Sequence, residues 1–367
     1  MTTTSNTIPL PDEAPGSALA ARLADLGERF GLLILVALVW AMFALLPSSS
    51  AAFTSAANLQ VILANLPVVT IVAIAAIFPL ICGHFDFSVG ATAVLSSIVC
   101  AAAQSHFQLP LPLAIAAGVL AGAVVGVLNA ALVAGLHLNA FVVTIGMATL
   151  VPGVVHWYTG GVDITSNIAQ PLREFGSQQW LGLPRSIWLL LGVAVVCWYL
   201  LTQTPFGRRS YAVGINAAAA KLVGIRVDRV AFASFLLSGA LAGLAGIVLT
   251  ARNGGGLVGD GTDLLFPALT AVFLGATAIT PGRYNVIGVV IGVLFVAVSV
   301  SGLRLSGAAD WLPAVFNGTA LIAAIALSTA LSRRRMNTPG RRAAARDRKR
   351  TAASSVGDGN RVKEMSR

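Results

Sequence analysis

Residues 83–90 of this 367-residue chain read Gly-His-Phe-Asp-Phe-Ser-Val-Gly, setting an imidazole, a carboxylate and a hydroxyl within five positions amid apolar sequence. An acid inside an apolar span costs about 2.5–3.5 kcal/mol on insertion scales unless it finds water or a partner. His84-x-Asp86 suits proton-relay chemistry. A cheaper explanation is a helix start, with Asp86 accepting from the N–H of Ser88 or Val89 and so capping the helix that follows. Gating or solute contact is the functional alternative for Asp86. Gly83, Asp86, Ser88 and Gly90 are therefore the residues to locate.

A second chemically dense stretch is 204–229, the longest charged interval between two apolar halves, with five basic residues including Arg208 and Arg209. Asn216 is placed to cap a short helix. Four alanines follow, Lys221 sits where a cation suits the helix dipole, and Gly224 supplies a left-handed end. The spacing predicts a helix of about two turns, marginal in isolation. Its i, i+3, i+4 positions Ala219, Leu222 and Val223 form one small apolar face. A short helix of this kind, flanked by arginines, is suited to pressing on a partner.

Most other chemistry is excluded by pattern. No P-loop, nucleophile elbow or HExxH occurs, so catalytic, metal and cofactor residues are not expected, and the chain is not expected to hydrolyse ATP by itself. Cys82, Cys100 and Cys197 lie in or at the end of apolar runs without metal spacing, and read as inert thiols. Gly254-x-Gly256-x-x-Gly259 matches a dinucleotide fingerprint formally, but it follows an apolar span rather than a βαβ strand.

The elements that must hold these residues are membrane helices. The chain is 56% hydrophobic and only 10% charged, against roughly 25% charged in soluble domains. Ten apolar runs are candidate spans, at 30–46, 59–82, 89–103, 111–135, 141–158, 187–201, 230–251, 264–279, 286–303 and 311–331. Several are short of the roughly 20 residues a crossing needs, which predicts half-spans or broken helices. Pro67 and Pro79 predict a bent second span lining a pathway, with Asn65 beside them. Thr144 and Thr270 are further candidates for pathway lining. Hydroxyl satisfaction by the helix's own carbonyls explains any one of these polar residues as well. Gly118, Gly122 and Gly126, with Gly239/Gly243 and Gly288/Gly292, have the small-xxx-small spacing of closely packed helices.

Three domains are expected: a disordered N-terminal tail (1–29), a transmembrane domain (30–331) and a basic tail (332–367). The tail's twelve basic residues against three acids suit anionic lipid, and without interleaved aromatics they do not suggest nucleic acid. With the N-terminus cytoplasmic and ten crossings, twenty basic residues fall inside and only Arg173, Arg185, Arg252 and Arg304 outside, as the positive-inside rule requires. If a soluble protein docks on the outside, external segments 160–185 and 252–262 are its expected landing surface.

Several blocks, in order, resemble the permease subunit of ribose/xylose/galactose-type sugar ABC importers. Ala218-Ala219-Ala220-x-x-x-Gly224 resembles the EAA-x-x-x-G loop, with Ala218 where the motif has glutamate. Phe206-Gly207-Arg208-Arg209 and Ala212-Val213-Gly214 flank it as in the sugar branch. Residues 83–90 resemble GG-I-D-L-S-V-G, with His84, Phe85 and Phe87 as departures. Residues 138–146 resemble P-F-I-V-T-L-G with Ala140 for proline, residues 236–246 also match, and Thr280-Pro281-Gly282-Arg283 diverges from a glycine-rich turn. The resemblance implies an all-α, polytopic, type II importer-like fold in a bacterial inner membrane. It implies two permease subunits, as a homodimer or with a paralogue, two ATP-binding cassettes and a periplasmic binding protein delivering a monosaccharide or polyol. It also implies that Arg208, Arg209, Asn216, Ala219, Leu222, Val223 and Gly224 couple to the cassette. A nucleoside or branched-chain amino-acid permease is the alternative within the class, and a proton-coupled secondary transporter the alternative outside it.

Overall fold

The computed structural model describes residues 15–47 and 49–326, with side chains from Phe30 onward. The expected basic tail, 332–367, lies outside the described residues. In chain order the helices are α1 (Pro15–Leu45), α2 (Ser50–Phe53), α3 (Ala56–Ile81), α4 (Val89–Ser105), α5 (Leu111–Ala130), α6 (Ala140–Thr159) and α7 (Gln170–Ser177). A two-strand hairpin, β1 (Gln179–Trp180) and β2 (Leu183–Pro184), precedes α8 (Arg185–Thr202), α9 (Pro205–Ile215), α10 (Ala217–Leu222), α11 (Val227–Asn253), α12 (Thr262–Gly275) and α13 (Val286–Leu305). α14 is described over Leu312–Ala326. A π-helical turn, Ala131–Gly135, extends α5.

Each of the ten apolar runs holds a helix over most of its described residues, the run 264–279 leaving the helix after Gly275. Six helices have the length and hydropathy to cross a membrane: α3, α5 with its π turn, α6, α8, α11 and α13. The apolar part of α1, all of α4 and α12, and the described part of α14 are shorter. The first helix starts at Pro15, not near Phe30. Proline is favoured in a first helical turn, and the Ala-, Leu- and Arg-rich segment after it favours helix without being apolar enough to raise hydropathy.

α3 is the axis of the bundle. Its residues from Leu66 to Ile81 are almost all buried, packed by α11, α12, α13, α8 and α9. Pro67 and Pro79 thus lie in the protein's centre, on a helix with neighbours on every side, not on an open wall. Buried neighbours can re-satisfy the backbone groups a proline frees. α5 and α11 meet backbone to backbone. A Cβ on Gly122 would stand 2.5 Å from the Gly239 carbonyl oxygen and 2.6 Å from the Gly243 Cα. No side chain fits there, which is why four-residue glycine spacing appears on both helices. Gly288 and Gly292 of α13 press against Gly275 and Ala271 of α12 in the same way.

Candidate functional site

The stretch 204–229 is more helical than its charge suggests. α9 occupies 205–215, with Pro205 at its start and Gly207, Ser210 and Val213 buried. Gly214 lies directly on the carbonyl of Ile81 at the end of α3, too close for a side chain. Packing therefore makes a helix from residues whose composition reads as loop. Asn216 then ends α9 and caps α10, its side-chain oxygen accepting from the Ala219 N–H at 3.0 Å. Gly224 has φ +83°, a left-handed conformation.

The faces of α10 are distinct. Ala220 is buried with Cys82, Val213 and Val230, so the helix rests on the foot of α3. Leu222 is 89% exposed, Val223 77%, and Ile215, just before the cap, 79%. Ala219 is exposed with them. A groove of about 660 Å³ lies beside α10, lined by Ala217, Ala218, Lys221, Arg226 and Asp228 among others. Ile215 ends α9 and lines a different groove, between α8, α9 and the α12–α13 turn. Arg209 is exposed on α9. Arg208 lines the same groove as Ile215 and not the one beside α10.

Behind this surface, residues 83–88 turn from α3 into α4. Gly83 has φ +87°. Asp86 is 3% exposed and accepts three hydrogen bonds: from the Ser88 N–H at 3.0 Å, the Ser88 hydroxyl at 2.6 Å and the Ser238 hydroxyl of α11 at 3.0 Å. Asn129 of α5 donates to the Ser88 oxygen at 2.8 Å. The carboxylate thus takes its donors from hydroxyls and backbone, and among the described residues no cation pairs with it. These hydrogen bonds fix this turn to two other helices, α11 through Ser238 and α5 through Asn129. Ser88, not Val89, supplies the backbone donor. His84 has its ring 5.9 Å from that of Phe235, and no hydrogen bond joins it to Asp86 among the described residues, so the relay geometry is not formed. Gly90 meets the backbone of Gly261. Phe85 and Phe87 stack at 5.9 Å, and Phe87 meets Phe141 of α6 edge-on at 5.3 Å.

The three pathway candidates are apart, on α3, α6 and α12, and none lines either groove. Each donates to its own helix: Asn65 to the Val61 carbonyl, Thr144 to Ala140 and Thr270 to Phe266, all at 2.8 Å. Thr144 also reaches the Phe85 carbonyl at 3.2 Å, tying α6 to the Asp86 turn.

At the far end of the bundle the two long connections join. Ile164 and Gly256 form a β-bridge, and the Asp163 carboxylate accepts from the Val258 N–H at 2.7 Å. The glycines 254–259 therefore serve a helix end and a backbone contact, with no strand–helix unit around them. Trp180 and Leu181 project at the hairpin, 55% and 91% exposed, and the Arg185 guanidinium lies 5.1 Å from the Trp180 ring. The cysteines are free and buried. No group of three or more His, Cys, Asp or Glu able to hold a metal occurs among the described residues.

Comparison with known proteins follows this geometry closely in extent. The family model described as "Branched-chain amino acid transport system / permease component" matches residues 58–325. The ribose import permease protein of Bacillus subtilis (strain 168) is 33% identical over 306 residues, 83% of this chain and 92% of that protein. The fructose import permease protein of Rhizobium meliloti is 33% identical over 283 residues, covering 75% and 78%. The L-arabinose ABC transporter permease protein of Azospirillum brasilense is 30% identical over 322 residues, covering 87% and 93%. No solved structure matches.

Proposed function

The chain belongs to the branched-chain amino acid transport system / permease component family, and on that premise we propose that it forms the membrane pathway of an ABC importer for a monosaccharide or related polyol. The observation that carries the solute class is the set of relatives named for ribose, fructose and L-arabinose, each aligned over most of both chains. Sugar, rather than a branched-chain amino acid or nucleoside, is the reading these names favour. Membership of an importer family, together with an Asp86 not bonded to His84, speaks against the proton-coupled alternative.

In this reading the six long and four shorter apolar helices make about ten membrane segments in a type II importer-like arrangement, with α9 and α10 on the cytoplasmic side and both termini there. Two copies, or this chain and a paralogue, enclose the solute path. Cassette subunits press on Ala219, Leu222 and Val223, with Arg209 at the rim. Alanine at 218 leaves this contact apolar where a glutamate would add an ion pair. ATP-driven closure of the cassettes moves α10 and, through Ala220 and Cys82, the foot of α3. The joined loops at the opposite end receive a solute-loaded binding protein.

Purification of the tagged protein from its host in mild detergent, followed by mass spectrometry and reconstituted uptake of labelled sugars, tests this. A stoichiometric ATPase subunit and ATP-dependent monosaccharide uptake are expected. An intact protein that carries sugar without any ATPase, or that carries only amino acids, would sink the proposal.

A further inference from the structure

The second groove, about 520 Å³, has no role in the importer reading, and its walls are of two kinds. Arg208, Tyr211, Ala212 and Ile215 line it from α9 at i, i+3, i+4 and i+7, so one face of that helix is committed to it. From the other side the Arg283 guanidinium lies over the Tyr211 ring, 4.5 Å from its centroid, a cation–π contact. Tyr211 is held in turn by its hydroxyl, which donates to the Tyr284 carbonyl at 2.6 Å. Asn285 donates to the Thr280 hydroxyl at 3.1 Å, ordering the turn that carries Arg283. Both guanidinium-bearing residues thus line one groove, Arg283 over the Tyr211 ring and Arg208 donating to the Gln203 carbonyl at 3.4 Å. Both arginines are exposed, and the ion pair found among the described residues, His137 with Asp228, involves neither.

The remaining wall is apolar. Trp198 and Leu201 belong to α8, and Val286 and Ile287 open α13. Both are membrane-length helices, and the groove lies at their ends. Trp198 and Ile287 are 40% and 47% exposed. Cationic donors at the helix ends, continuous with exposed apolar surface along the helices, match an amphiphile with an anionic head. A soluble anion would leave the apolar wall unused, and a neutral lipid would leave two arginines without a counter-charge. Tryptophan at such a level is typical of the membrane interface.

We propose that this groove binds an anionic phospholipid, with its head-group phosphate between Arg208 and Arg283 and an acyl chain along Trp198 and Ile287. The site goes beyond the importer reading and does not depend on which solute is carried. It also removes Arg208 from the cassette contact.

The test uses the full-length protein, with whatever subunits purify alongside it, in vesicles of phosphatidylcholine doped with brominated phosphatidylglycerol or brominated phosphatidylcholine. Brominated chains quench nearby tryptophan. The phosphatidylglycerol lipid is expected to quench more strongly, and Trp198→Phe to remove the excess. At about 1 kcal/mol per arginine near a membrane surface, Arg208→Gln or Arg283→Gln should weaken the preference about fivefold and the double variant about thirtyfold. Arg208→Lys with Arg283→Lys should restore most of it. Should the double glutamine variant fail to assemble, the single variants carry the same comparison. Equal quenching by both lipids in the wild type overturns the site. So does a preference that survives the double glutamine variant, including one that instead loses an ATPase subunit or a second copy, which would make this face a protein interface. A preference erased by inorganic phosphate would assign the arginines to a soluble anion and also overturn it.

Discussion

The exposed face of α10 and the buried turn at 83–88 are built on opposite principles, although Cys82 places them side by side. At the end of α10 two large apolar side chains face outward, Leu222 at 89% and Val223 at 77% exposure. In the turn the central side chain is a carboxylate at 3% exposure with three donors. Exposed apolar area is a debt to some partner, because its removal from water is favourable and has not yet occurred. A buried, satisfied acid has no such need, and its bonds instead hold α4, α5 and α11 in one arrangement. Substitution should therefore harm transport at the first region and folding at the second.

The largest effect expected is at α10. Gly224→Pro cannot adopt φ +83°, and Leu222→Asp sets a charge on the apolar face. Either should reduce solute uptake to background while membrane insertion and the thermal midpoint of Leu222→Asp stay near wild type. Normal uptake, or a collapse in stability for Leu222→Asp, would break the contrast.

Asp86→Ala should act the other way. It strands the Ser88 and Ser238 hydroxyls and should destabilise the protein by about 3 kcal/mol, read as a lowered unfolding midpoint in detergent. Uptake should fall in proportion to folded protein. A stable Asp86→Ala protein that binds its ATPase but does not transport would move Asp86 from architecture to gating.

Two smaller substitutions sharpen the comparison. Asn216→Ala removes the α10 cap, worth about 1 kcal/mol locally. Uptake should drop severalfold with little change in global midpoint. Ser238→Ala removes one donor of three and should lower stability by about 1 kcal/mol, with transport nearly unchanged. The reverse ordering, with Ser238→Ala harming uptake more than Asn216→Ala, would mean that the Asp86 turn itself moves during transport.

These two regions also differ in how far they could be read before folding. The Asn216 cap spans three residues, and Gly224 needs only its own backbone, so α10 was legible almost to the residue. α9 was not, because its glycines are helical only through contact with Leu201 and Ile81, one of them distant in the chain. Arg208 and Arg209 are adjacent in the chain, but neighbouring helical positions point about 100° apart, and of the two it is Arg208 that lines the second groove.

By itself, then, the amino-acid order determined the apolar helices, the glycine seams, the capped α10 helix and the family, since each depends on local pattern or on side-chain size repeated every four residues. Only the tertiary structure decided that Asp86 is bound by Ser238, 152 positions away, that Pro67 and Pro79 are buried and not on an open wall, and that Arg208 and Arg283 line one groove. Such pairings are selected by the packing of whole helices, and in a chain this apolar many partners are equally acceptable to any one residue until the backbones approach.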